Sequence, residues 1–121
     1  MVSALFDTNI LIDYLNGIEA AKTELDRYAD KAISLITWME VMEGATPETE
    51  EIVLGFLNGF INLSIDEQVS GVAVTLRKKH KIKLPDAIVW ATAQVNKCIL
   101  VTRNTKDFLH DEPGVRVPYQ V

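Results

Sequence analysis

The chain has 121 residues, 48% of them hydrophobic, which is enough to bury a core and too apolar for a disordered segment. Its net charge of −5 argues against a generally basic nucleic-acid binder while leaving room for a local basic patch. The lone cysteine, Cys98, has no internal partner, no basic segment precedes an apolar one at the N-terminus, and the longest uncharged run, Ile52–Ile65, is too short to cross a bilayer. These features point to one cytoplasmic domain over residues 1–121.

The apolar run Val2–Phe6 has the length of one buried strand, and the helix-like pattern Ile10, Leu11, Tyr14, Leu15 follows it. Asp7 stands where the two meet, at the carboxyl end of the strand, the edge where open α/β sheets bind ligands. The competing structural reading is that Asp7 or Thr8 only caps the helix. Asn16–Gly17 stops it, and Ile18–Tyr28 reads as a charged helix with Ile18, Ala21, Leu25 and Tyr28 on one face.

Ala32–Ile36 reads as a second strand, followed by a short helix from Thr37 to Gly44. Thr46–Pro47 is expected to open another helix, with Ile52, Val53, Phe56, Leu57 and Phe60 as its apolar face. Ile61–Ile65 is a third strand, and Asp66 caps a helix with Val69, Val72, Ala73 and Leu76 aligned. A basic segment, Arg77–Lys83, leads into a helix opened by Leu84–Pro85–Asp86 and carrying Ile88, Ala91, Thr92 and Val95. Cys98–Thr102 is a fourth strand and Val115–Val117 a short fifth. Alternating strands and helices predict an α/β fold, with a parallel sheet of four to five strands covered by helices on both faces.

Three more acids fall at the same expected edge: Glu40, Asp86 and Asp107, with Asn104 nearer the strand end. Each has a structural explanation. Thr37 and Glu40 match a T-x-x-E capping box, Asp86 complements a helix dipole, and Asp107 could cap a turn. Those explanations do not account for acids recurring at one edge. Crowded carboxylates repel and call for a cation, and oxygen donors suit Mg²⁺ or Mn²⁺. There is no zinc-spaced Cys/His set, no Walker loop, no G-x-S-x-G and no G-x-G-x-x-G.

Four stretches carry a family resemblance: LFDTNILIDYL at 5–15, SLITWMEVMEG at 34–44, KLPDAIVWATA at 83–93 and LVTRNTKDF at 100–108. In this order they resemble the PIN-domain ribonucleases, specifically the VapC-like toxins of type II toxin–antitoxin pairs. The resemblance implies a single PIN-like domain with strand order 3-2-1-4-5. It maps the metal-binding acids onto Asp7, Glu40 and Asp86. The fourth family position is Asn104 in this chain, with Asp107 close behind as a substitute. It also implies Mg²⁺- or Mn²⁺-dependent cleavage of RNA, leaving 5′-phosphate and 3′-hydroxyl ends. The implied partners are a VapB-like antitoxin and a second copy of the chain in a homodimer.

Thr8 and Asn104 are expected to orient a water or phosphate, and Thr102 to support the loop. Lys78, Lys79, Lys81 and Lys83, with Arg77, form a candidate RNA-steering patch beside Asp86. A solvated helix end is the alternative. Trp38, Met39, Val41 and Met42 surround Glu40, so some are expected to face a partner and others the core. Trp90 is expected in the core or at a dimer contact. Two other classes remain open: a receiver-like phosphoacceptor module, and a PIN scaffold disabled by Asn104. A HAD-type phosphatase needs a second Asp where Asn9 stands.

Overall fold

The computed structural model describes residues 3–106, 108 and 114–120. The carboxylate expected at Asp107 and the residue Val2 therefore lie outside the described residues. Five parallel strands form one sheet in the order β3-β2-β1-β4-β5. They are β1 (Ala4–Phe6), β2 (Lys31–Ser34), β3 (Ile61–Leu63), β4 (Ile99–Val101) and β5 (Val115–Arg116). Among the described residues, six helices connect and flank them: α1 (Thr8–Leu15), α2 (Glu19–Asp26), α3 (Leu35–Glu43), α4 (Glu50–Leu57), α5 (Glu67–His80) and α6 (Leu84–Val95).

β1 is central and fully buried, which is why it reads as an unbroken apolar run. Its pleat sends alternate residues to two separate cores. Ala4 and Phe6 join Ile10, Leu11, Leu25, Val41 and Leu57, while Leu5 joins Val69, Leu76, Trp90 and Phe108. The expected face of α5 is correct in Val69, Ala73 and Leu76, and Asp66 caps it by accepting from the Val69 N–H at 2.9 Å.

Several local expectations fail. β2 ends at Ser34 and α3 starts at Leu35, so the boundary lies two residues earlier than the Thr37 start. Ser34, whose hydroxyl accepts from Ile36 N, is the cap. The Thr37–Glu40 capping box does not form, because Thr37 is already inside the helix and buried. Similarly, α4 starts at Glu50 rather than Thr46–Pro47. Thr46 and Thr49 instead close a turn on one another, with Thr46 N donating to Thr49 Oγ1 at 2.9 Å. Ile52, expected in the core face of α4, is 72% exposed. β3 stops at Leu63 and the second helix at Asp26, both short of the expected ends.

Candidate active site

Parallel pairing brings the carboxyl ends of β1, β2 and β4 to one edge. Asp7 follows β1 there, α3 leaves β2 there, and Thr102 follows β4. α6 runs back towards the start of β4, so its first turn, with half-buried Asp86, lies at this edge by topology.

Asp7 is 4% exposed and flanks α1 in extended conformation, so the capping reading holds in part. One oxygen, Oδ1, accepts from Thr8 N at 2.8 Å. The other, Oδ2, accepts from Thr102 Oγ1 at 2.8 Å and from Asn9 Nδ2 at 3.3 Å. Thr102 therefore does more than support the loop: it bonds the acid directly. Its hydroxyl also accepts from Asn104 N at 3.0 Å, so its proton is directed at Asp7.

Glu40 enters the same site from the second turn of α3. Its Oε1 accepts from Thr8 Oγ1 at 2.6 Å, and that hydroxyl lies 3.1 Å from Thr37 Oγ1. The Thr8 hydroxyl is thus engaged by Glu40 and Thr37. Burial raises the Asp7 carboxyl above its ordinary range, and the negative charge of Glu40 raises it further, against lowering by the Thr102, Thr8 and Asn9 bonds.

All these donors are oxygens, which suits a hard divalent cation. A positive charge beside Asp7 and Glu40 would relieve both the burial cost and the repulsion. Among the described residues, no three His, Cys, Asp or Glu side chains close into one cage.

Asn104 occupies the loop after β4, where its Oδ1 accepts from Lys106 N at 3.2 Å. Lys78 and Lys79 end α5, Lys81 follows it with φ of 54°, and Lys83 precedes α6; all four are exposed. The expected surface around Trp38 and Met42 is mainly core packing, since both are partly buried against the β1–α1 cluster. Met39 is the member of that group turned outward, and Trp90 packs edge-on against Phe108 in the second core. The apolar opening lies elsewhere, as a groove of about 550 Å³ between α1, α3 and α4, lined by Ile12, Leu15, Val41, Ala45, Ile52 and Val53.

Sequence reasoning missed a second buried acid on α1. Asp13 accepts from Arg103 Nε at 2.5 Å, from Arg103 Nη2 at 3.0 Å and from Tyr119 Oη at 2.8 Å. The Arg103 hydrogen bonds hold its carboxyl below the usual range despite burial. Glu24 on α2 repeats the pattern with Arg116 and Tyr28. The available signal was a charged residue on the apolar face of each helix, beside Ile10 and Leu11 or beside Ala21 and Leu25.

A family model, the PIN domain, matches residues 4–110. Ribonuclease VapC1 of Methanocaldococcus jannaschii is 33% identical over 110 residues, which is 86% of this chain and 77% of the relative. A toxin–antitoxin complex from Klebsiella pneumoniae contains a chain 48% identical to this one, with a TM-score of 0.93 over 98% of this chain and 99% of that one. FitAcB from Neisseria gonorrhoeae, 24% identical, has the same fold with a TM-score of 0.82 over 98% of this chain and 99% of that one.

Proposed function

The chain belongs to the PIN domain family, in its VapC group, and on that premise we propose that it is a metal-dependent endoribonuclease, the toxin half of a toxin–antitoxin pair. The observation that carries the reading is the Asp7–Glu40 pair at the carboxyl edge of the sheet, buried on one side and bridged by Thr8. Family membership removes the receiver-like alternative. The disabled-scaffold alternative rests on Asn104 alone, and the assembled Asp7–Glu40 pair weighs against it.

Asp7 and Glu40 would hold the cation, with Asp86 reaching it directly or through water from the first turn of α6. Mg²⁺ or Mn²⁺, when bound, supplies charge that offsets the scissile phosphate and acidifies an attacking water. The chain's own residues keep that arrangement in place. Thr102 and Asn9 fix Oδ2 of Asp7, the Thr8 amide fixes Oδ1, and the Thr8 hydroxyl fixes Glu40. Asn104 supplies a neutral amide where the family usually has an acid, and Asp107 is the candidate for the missing charge. Lys78, Lys79, Lys81 and Lys83 would draw the RNA backbone towards Asp86.

The apolar groove between α1, α3 and α4 is the surface that suits an antitoxin helix, in place of the Trp38–Met42 surface expected from sequence. A homodimer completes the assembly. The test of the activity is direct: purified protein should cleave RNA with Mg²⁺ or Mn²⁺ and stop in excess EDTA. Cleavage unchanged by EDTA overturns the reading.

A further inference from the structure

Arg103 lies in the β4-exit loop between Thr102 and Asn104, two residues whose atoms hold the acidic site together. Its backbone N–H donates to Asn9 Oδ1 at 3.3 Å, and Asn9 in turn donates to Asp7 Oδ2. Its side chain does not enter the site. It turns to the buried face of α1 and grips Asp13 with both Nε and Nη2. Tyr119, near the C-terminus, donates to the same carboxylate. The loop is therefore tied to α1 at two points about one helical turn apart, Asn9 and Asp13.

A two-toothed guanidinium–carboxylate contact constrains orientation as well as distance. Fixing Arg103 fixes the backbone on either side of it. That keeps the Asn104 N–H on Thr102 Oγ1, and so keeps the Thr102 proton on Asp7. Loss of this clamp would free the Asn104 N–H from Thr102 Oγ1, and with it the constraint that keeps the Thr102 proton on Asp7 in that carboxylate's shortest side-chain hydrogen bond.

We propose that Arg103, clamped by Asp13 and Tyr119, is a positioning residue for the acidic site, setting the Thr102–Asn9–Asp7 network in the geometry that receives a divalent cation. This rests on the reading of the protein as a metal-dependent nuclease. The second clamp of the molecule is a control supplied by the fold. Arg116 grips buried Glu24 in the same two-toothed way, with Nε at 2.7 Å and Nη2 at 3.0 Å. Among the described residues, its side chain makes no bond to the site. Its carbonyl accepts from Thr102 N, and alanine retains that bond.

The experiment compares Arg103→Ala, Arg116→Ala and Tyr119→Phe with wild type, well below their unfolding temperatures. Mn²⁺ affinity is measured by titration calorimetry, kcat and KM on a short RNA, and amide hydrogen exchange at Thr8 and Asn104 without metal. Arg103→Ala should weaken Mn²⁺ binding by about tenfold or more and lower kcat, with KM for RNA little changed. It should also speed exchange at both amides by about tenfold. Tyr119→Phe should move the same quantities less, and Arg116→Ala should lower stability while leaving them alone. Wild-type exchange and Mn²⁺ affinity in folded Arg103→Ala, or equal effects from both arginine variants, would overturn the proposal. A wild-type protein that neither binds Mn²⁺ nor cleaves RNA would overturn the nuclease reading, and the metal-free exchange data would still decide whether Arg103 positions the network.

Discussion

Two buried aspartates belong to α1, Asp7 as its N-cap and Asp13 within it, and their surroundings are opposite in kind. Asp13 meets a positive charge from the chain itself, in Arg103, and a phenol from Tyr119. Asp7, six positions earlier, meets neutral donors and a second carboxylate among the described residues. Burial alone raises both carboxyls. The arginine reverses the shift at Asp13, while at Asp7 hydroxyls and amides do not overcome it. A buried acid neutralised by its own fold serves stability. A buried acid left with a neighbour of like charge is suited to an added cation, and the price is a less stable metal-free protein.

The largest expected effect follows from that contrast. Asp7→Asn should lower RNA cleavage by about 100-fold or more, since an acid at a metal centre is worth several kcal/mol of rate. The same change should leave metal-free stability unchanged or slightly higher, because it removes a repelled charge. Parallel activity assays and urea unfolding in EDTA check both, and a strongly destabilised Asp7→Asn would break the comparison.

Arg103→Ala should act in the opposite sense on stability. It strands Asp13 without its counter-charge, and the loss should be about 2–4 kcal/mol, reduced from the fully buried case because Arg103 is one-third exposed. Urea denaturation with and without excess Mn²⁺ separates this from any loss of metal binding.

Asp86→Asn discriminates a ligand from a helix-start residue. A dipole role alone predicts destabilisation by about 0.3–1 kcal/mol with cleavage intact. The ligand role predicts unchanged or increased stability in EDTA, loss of cleavage and a smaller stabilisation by Mn²⁺. Denaturation in EDTA and in Mn²⁺, with an RNA assay on the same samples, distinguishes the two.

The pH dependence sharpens the contrast further. Asp7 has a raised folded pKa, so its contribution to stability is fully present below its ordinary value of 3.8 and is lost as pH rises through the raised value. Asp13 has a lowered one, so its contribution is present above 3.8 and is lost as pH falls through the lowered value. Metal-free Asp7→Asn should therefore gain on wild type as pH rises above 3.8, and Asp13→Asn should lose ground over the pH range in which its carboxylate ionises. Stability curves that run parallel to wild type would remove the distinction.

The smallest expected effect is at the basic segment. Replacing Lys78 and Lys79 by alanine should flatten the slope of log RNA affinity against log salt by roughly one unit or less per lost contact. An unchanged slope would assign these side chains to favourable interaction with the C-terminal end of α5 alone.

Much of this architecture was legible in the chain because its signals are local. The buried run before Asp7, the periodicity of α5 and the Asp66 cap each involve residues within a few positions of one another, and each came out as expected. The order of the strands came through family resemblance, since periodicity does not say which strands pair. Helix starts failed where two local solutions compete. Thr37–Glu40 matches a capping box in sequence, yet Ser34 caps three residues earlier and frees Glu40 to meet Thr8 from another element. Only tertiary structure decided the partners of the buried acids. Asp13 and Arg103 are 90 positions apart, and Asp7 and Thr102 are 95 apart. Such pairs are made by strand order and loop path, which place distant residues at one edge. The sequence placed Asp7 and Glu40 just past the ends of two strands that the fold sets side by side. The fold determined that Asp13 meets an arginine and that Asp7 meets hydroxyls, amides and the charge of Glu40.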